Sequence, residues 1–131
     1  MAETAADGTG AQGSPVIASI NAITLATHDM ARAVPFYRAL GFVLRYGGPA
    51  TEFSSFAVGP GHLNLVVAAP QTAIGWWGRV IFYVSDVDAL YARALGAGLR
   101  PQAPPRDAPW GERFFHIIDP DGHELSFAHP L

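Results

Sequence analysis

From Val16 onward the apolar residues fall into periodic runs. Ile17, Ile20, Ile23 and Leu25 mark a strand. Met30, Val34, Tyr37 and Leu40 then recur at helical spacing behind Asp29, whose carboxylate suits an N-cap, and Gly41 ends the run. Pro35 lacks the N–H that would bond the Ala31 carbonyl, so a kink or loosened turn is expected there. Residues 42–46, 54–58 and 63–68 read as three short strands, set apart by Gly-Gly-Pro and Gly-Pro-Gly turn chemistry. After a linker the same order returns: strand 79–84, helix 86–95, then strands near 99–102, 113–118 and 124–128. Ser85 and Asp88 have the spacing of a capping box, with Asp in place of the usual Glu or Gln.

The repeat is numerical as well as visual. Asp29 and Asp86, Gly41 and Gly98, and Ala22 and Arg79 each stand 57 positions apart, so strand, helix cap and helix stop recur without a gap. Leu63-Asn64-Leu65 aligns on Leu125-Ser126-Phe127 at an offset of 62, which places five extra residues in the loops of the second copy. One βαβββ unit puts a helix over one face of a small sheet and leaves the other face bare, whereas two units together enclose a cavity. The expected architecture is α+β: two tandem βαβββ modules forming a curved mixed sheet around a cavity. Residues 1–15, small, polar and Gly-rich, read as a disordered tail; 16–131 form one domain, with modules at 16–69 and 79–131 and a linker at 70–78.

Composition narrows the function classes. The chain has 131 residues, 50% of them hydrophobic and 15% charged, enough for one core. Eight Lys and Arg against 11 Asp and Glu give a net charge of -3 without a basic cluster, so neither nucleic acid nor membrane is expected as a partner. Cysteine is absent, which removes thiolate ligands, thiol nucleophiles and disulfides. No apolar run approaches a bilayer span, and the first residues lack the basic and apolar regions of a secretory signal, so a cytoplasmic location is expected.

Four segments in order, INAITL at 20–25, FYRALGF at 36–42, VSDVDAL at 84–90 and DPDGHEL at 119–125, resemble signature segments of the vicinal oxygen chelate superfamily. That family includes glyoxalase I, extradiol dioxygenases, fosfomycin-inactivating enzymes and bleomycin-resistance proteins. The resemblance runs from about Ile17 to the C-terminus. It implies the glyoxalase/bleomycin-resistance fold and a homodimer, whose modules either close within one chain or swap between two. It also implies that metal-dependent members would place ligands at Ala22, Asn64, Arg79 and Ser126. Ala has no donor atom, Arg is a fixed cation, and Asn and Ser are weak neutral donors, so no metal and no cofactor is expected.

A guanidinium at such a position suits a carboxylate, phosphate or enolate of a ligand; alternatively Arg79 pairs with a sheet carboxylate such as Glu124. Strand alternation carries Ile81 and Tyr83 to the face of Arg79, His62 and Val66 to that of Asn64, and Glu124 and Ala128 to that of Ser126. Pairing across the turn at 119–122 puts Phe115 on that face and His116 on the helix-covered one. Trp110, before the penultimate strand, and Trp76 and Trp77 in the linker suit stacking on a planar ligand, or the covering of core ends. His28, His123 and His129 have surface or capping explanations. A displaced metal site from His62 and His116 with Glu112 or Glu124 needs a change of strand parity. Asp-Pro-Asp-Gly at 119–122 is turn chemistry rather than an acid–base pair.

The expected site is therefore a small-molecule cavity lined by His62, Asn64, Arg79, Tyr83, Trp110, Phe115 and Ser126. The leading reading is a metal-free protein that binds a small planar organic molecule. The alternatives are a metal-free lyase or isomerase, in which Arg79 steadies an oxyanion while Tyr83 or His62 moves a proton, and a metal-dependent glyoxalase- or dioxygenase-type enzyme.

Overall fold

The protein, described by a computed structural model over residues 15–131, has ten regular elements. They run β1 (Ala22–Thr27), α1 (Met30–Ala39), β2 (Val43–Tyr46), β3 (Phe53–Val58), β4 (Gly61–Val67), β5 (Arg79–Tyr83), α2 (Val87–Gly96), β6 (Arg106–Ala108), β7 (Glu112–Ile118) and β8 (Glu124–Pro130). Hydrogen bonding divides the strands into two mixed sheets, ordered β1-β4-β3-β2 and β5-β8-β7-β6. In each, the first strand runs parallel to the last of its module and the others pair antiparallel. The tail expected at 1–15 lies outside the described residues except for Pro15.

The two helices are built alike. Asp29 and Asp86 cap them, accepting from the N–H groups of Arg32 and Ala89. Asp86, not Ser85, is thus the N-cap of α2, and Asp88 is free to bind Arg113 instead. Each helix ends in a Schellman motif: Phe42 N–H donates to Tyr37 O and Gly41 N–H to Arg38 O, and Leu99 and Gly98 repeat this on Ala94 and Leu95. Gly41 (φ +93°) and Gly98 (φ +82°) supply the left-handed residue that this stop requires. The helix α1 runs unbroken across Pro35; Ala31 and Pro35 are both on its exposed side, where water reaches the freed carbonyl.

Two strand expectations are corrected. The strand marked by Ile17 and Ile20 begins only at Ala22, because β4 starts at Gly61 and its His62 pairs with Ala22, so the earlier residues have no strand beside them. The strand expected near 99–102 is absent. Pro101, Pro104 and Pro105 lack N–H donors there, and the edge strand β6 forms beyond them at Arg106–Ala108.

One hydrophobic core joins the modules. Phe42 of the first packs edge-on against Phe82 (ring centroids 5.0 Å) and 6.1 Å from Phe127 of the second, while Phe115 meets Tyr91 and Phe127. The loop 119–123 clamps the same junction. Tyr37 OH donates to Asp119 Oδ2 at 2.6 Å, Asp121 Oδ1 accepts from His28 N and Arg32 Nη2, and His123 Nε2 lies 2.8 Å from Ala26 O. Burial and the facing Asp119 carboxylate push the Tyr37 hydroxyl well above its ordinary range.

Candidate functional site

The helix-free face of the second sheet carries the chemistry. On β5, Arg79, Ile81 and Tyr83 point to that face, while Val80 and Phe82 enter the core, as alternation requires. The register sets Glu124 opposite Arg79, and Ser126 between Ile81 and His116. These residues surround a cavity of about 200 Å³ lined by Arg79, Ile81, Arg106, Trp110, Phe114 and His116, with Ser126 and Glu112 completing it.

Glu124 organises one end of this cavity. Its Oε1 accepts from Trp76 Nε1 at 2.8 Å, and its Oε2 lies 3.0 Å from Arg79 Nη2 and 3.3 Å from His116 Nδ1. The indole N–H and then the Arg79 guanidinium hold the carboxyl below the usual carboxylate range. Burial and the guanidinium of Arg79 lower the His116 pKa; Glu124 opposes that shift and Arg106 adds to it, so the imidazole is neutral near pH 7. Arg79 accordingly takes the pairing with Glu124 that the sequence offered as one of its two roles.

The other end is aromatic. Trp110 stacks on Phe114 at 5.9 Å and 25°, the Arg106 guanidinium lies 4.5 Å from the centre of the Phe114 ring, and His116 continues the wall 5.1 Å away. Trp110 is 70% exposed, yet its Nε1 is fixed 2.9 Å from Glu112 Oε1, and Tyr83 OH donates to the other oxygen of the same carboxylate. That bond raises the Tyr83 pKa.

Arg79, Trp110 and Ser126 thus meet in one cavity, with Tyr83 tied to its rim through Glu112. His62 lines an adjoining space of about 410 Å³ between the modules, shared with Ala22, Arg79 and Ile81. Asn64 stands on the open face of the first sheet, donating to Thr24 Oγ1 at 3.2 Å. Phe115 is corrected: it is fully buried among the core aromatics, and His116 takes the cavity face instead. The loop between β7 and β8 holds five residues, because His123 folds back to receive Asp119 N–H on its carbonyl, and one added residue reverses every side chain of the strand. Counting His123 in the loop would have revealed His116 from sequence. Trp77, for its part, donates to His123 Nδ1 at 2.7 Å and pins the linker beside β1.

A family model described as the Glyoxalase/Bleomycin resistance protein/Dioxygenase superfamily matches residues 19–127. The chain belongs to that superfamily. Among solved structures, TioX from Micromonospora sp. ML1 is 32% identical with a TM-score of 0.69, covering 87% of this chain and 100% of that one. A lactoylglutathione lyase from Agrobacterium tumefaciens (22% identity, TM-score 0.71, 87% and 95% covered) shares the fold. So does a bleomycin resistance determinant encoded on the transposon Tn5 (18% identity, TM-score 0.71, 86% and 98% covered). An uncharacterized protein of Mycobacterium bovis is 42% identical over 48 residues, which span 37% of this chain and 32% of that protein.

The metal that this superfamily's name evokes finds poor donors in this member. Ala22 offers no atom, Arg79 is a cation already held by Glu124, and Ser126 and Asn64 are neutral. Among the described residues no three His, Asp or Glu side chains gather as ligands. His116 and Glu124 do adjoin, but Trp76 and Arg79 take up the carboxylate oxygens that an ion would need.

Proposed function

We propose that this superfamily member binds a small, planar organic molecule in the cavity of its second sheet, without a metal. The carrying observation is the preset aromatic wall of Trp110 and Phe114, whose indole is held by Glu112 before any ligand arrives. A fixed ring loses little freedom on stacking, so most of its contact energy is retained in binding. Charge compensation at Arg79 speaks against the alternative in which that guanidinium alone meets an oxyanion.

The test is tryptophan quenching across a panel of planar metabolites and antibiotics, beside elemental analysis of tag-free protein. Saturable quenching at one ligand per cavity, no product, and about tenfold weaker binding in Trp110→Ala are expected, since stacked aromatic pairs contribute about 1 kcal/mol beyond the area they bury. Turnover, or one equivalent of a divalent metal, would overturn the reading.

We further propose a homodimer. Val43, Tyr46, Phe53 and Val66 lie exposed on the helix-free face of the first sheet, as do Ile81 and Tyr83 on the second. A second copy covering these faces removes a run of apolar surface that one chain leaves in water.

A further inference from the structure

The cavity holds one basic group that the planar-ligand reading does not use. His116 Nδ1 sits 3.3 Å from the Glu124 carboxylate, which favours the tautomer carrying its proton on that nitrogen. Nε2 is then a lone pair, and it has no hydrogen-bond partner among the described residues. Both carboxylates of the cavity are engaged, Glu124 by Trp76 and Arg79 and Glu112 by Trp110 and Tyr83, and the Ser126 hydroxyl is a weak neutral acceptor, so His116 is the one open base. A ligand hydrogen-bond donor entering against the Phe114 ring therefore meets His116 as the open acceptor.

We propose that His116 is the proton acceptor of this cavity and selects hydroxyaromatic ligands, a phenol-type O–H giving its proton to Nε2 on binding. The inference rests on the planar-ligand reading above. In the step the ligand O–H bond breaks, an Nε2–H bond forms, and the electron pair stays on oxygen. An imidazolium and a phenolate result, and no other reactant is needed. The charged groups around the ring each have a place in this exchange: Glu124 on β8, paired with Arg79 on β5, balances the imidazolium, Arg106 on β6 attracts the phenolate, and Glu112 on β7 is occupied by Trp110 and Tyr83. Burial first, and then the two guanidiniums, disfavour an imidazolium in the empty cavity; the oxyanion offsets the guanidiniums' share once it is present.

The experiment compares 7-hydroxycoumarin with 7-methoxycoumarin, which has the same rings and no proton to give, on the full chain. At a pH below the free probe's own ionisation, the hydroxy probe is expected to bind about tenfold tighter than the methoxy probe and to show the absorption band of its anion. Its affinity falls as acid protonates His116 in advance, while that of the methoxy probe stays flat. In His116→Gln the two probes converge to within about twofold and the anion band disappears, with an unchanged cooperative melt as evidence of an intact fold. Glu124→Gln, which leaves the ring but removes its counter-charge, lowers the anionic fraction. Equal affinities in the wild-type protein, or a hydroxy probe bound as the neutral phenol, overturn the role of His116 and leave the planar-ligand reading standing. Binding of neither probe overturns the selection of hydroxyaromatic ligands by His116, while the planar-ligand reading falls only if the wider panel also fails to quench.

Discussion

Glu124 takes Trp76, Arg79 and His116 on two oxygens, and the state of one of these partners sets the others. Removing the guanidinium in Arg79→Met takes away a charge that disfavours the imidazolium, so the His116 pKa rises. Removing the carboxylate charge in Glu124→Gln takes away what favours it, so the pKa falls further. Histidine NMR titrations of the two variants should move in opposite directions, and movement in one direction would break the assignment. The sign for stability follows from the same shifts. His116 and Glu124 both have folded-state pKa values below their ordinary 6.5 and 4.5, so the native state binds fewer protons than the unfolded one. Melting temperature should hold above about pH 6.5, then fall as acid titrates first His116 and then Glu124, and Arg79→Met should shrink the first drop. The Arg79–Glu124 pair was legible in the sequence as one of two roles for Arg79. Trp76 as a donor was not, because no local pattern joins a linker indole to a carboxylate 48 positions away.

Elements were most legible where a cap or a period fixed them alone. Asp29 and Asp86, each with its glycine stop, defined two ten-residue helices from spacing. Alternation placed Arg79, Ile81 and Tyr83 on the open face and Val80 and Phe82 in the core. Register across a loop was harder, since it depends on whether His123 belongs to the turn or the strand, and that is decided by its bonds to Ala26 and Trp77 in distant segments. The entry of β4 shows how tightly register is enforced elsewhere. A Cβ built on Gly61 would lie 2.6 Å from Asn21 O, the same carbonyl that accepts the His62 N–H. Backbone cannot yield there as a long side chain would, so Gly61→Ala should cost about 1–3 kcal/mol and lower the urea midpoint without changing its slope. An unaltered midpoint would mean that β1 and β4 meet less closely at Asn21 than described.

At the scale of the molecule, contacts of unlike kinds join the modules. The aromatic core around Phe42 and Phe82 supplies area without direction, while the 119–123 loop supplies directed bonds from the second module to the entry of α1 and to Tyr37 near its end, and Arg93 adds one to the Ala39 carbonyl. Modules so tied should unfold together, as one transition, while the bare sheet faces govern association. The choice of residue to test association follows from geometry. Phe53 is exposed on β3, on the face of Asn64 and Val66 and away from the cavity of Trp110 and His116, so a charge there disturbs a covering chain and not the ligand wall. If a second copy covers this face, wild-type protein runs at twice the chain mass in light scattering and its melting temperature rises with concentration, because folding is then linked to association. Phe53→Glu should give the single-chain mass and a concentration-independent melt, with coumarin binding reporting whether the ligand wall is complete in one chain. A wild-type protein of single-chain mass at all concentrations would mean that this face stays open and needs another explanation for its apolar residues.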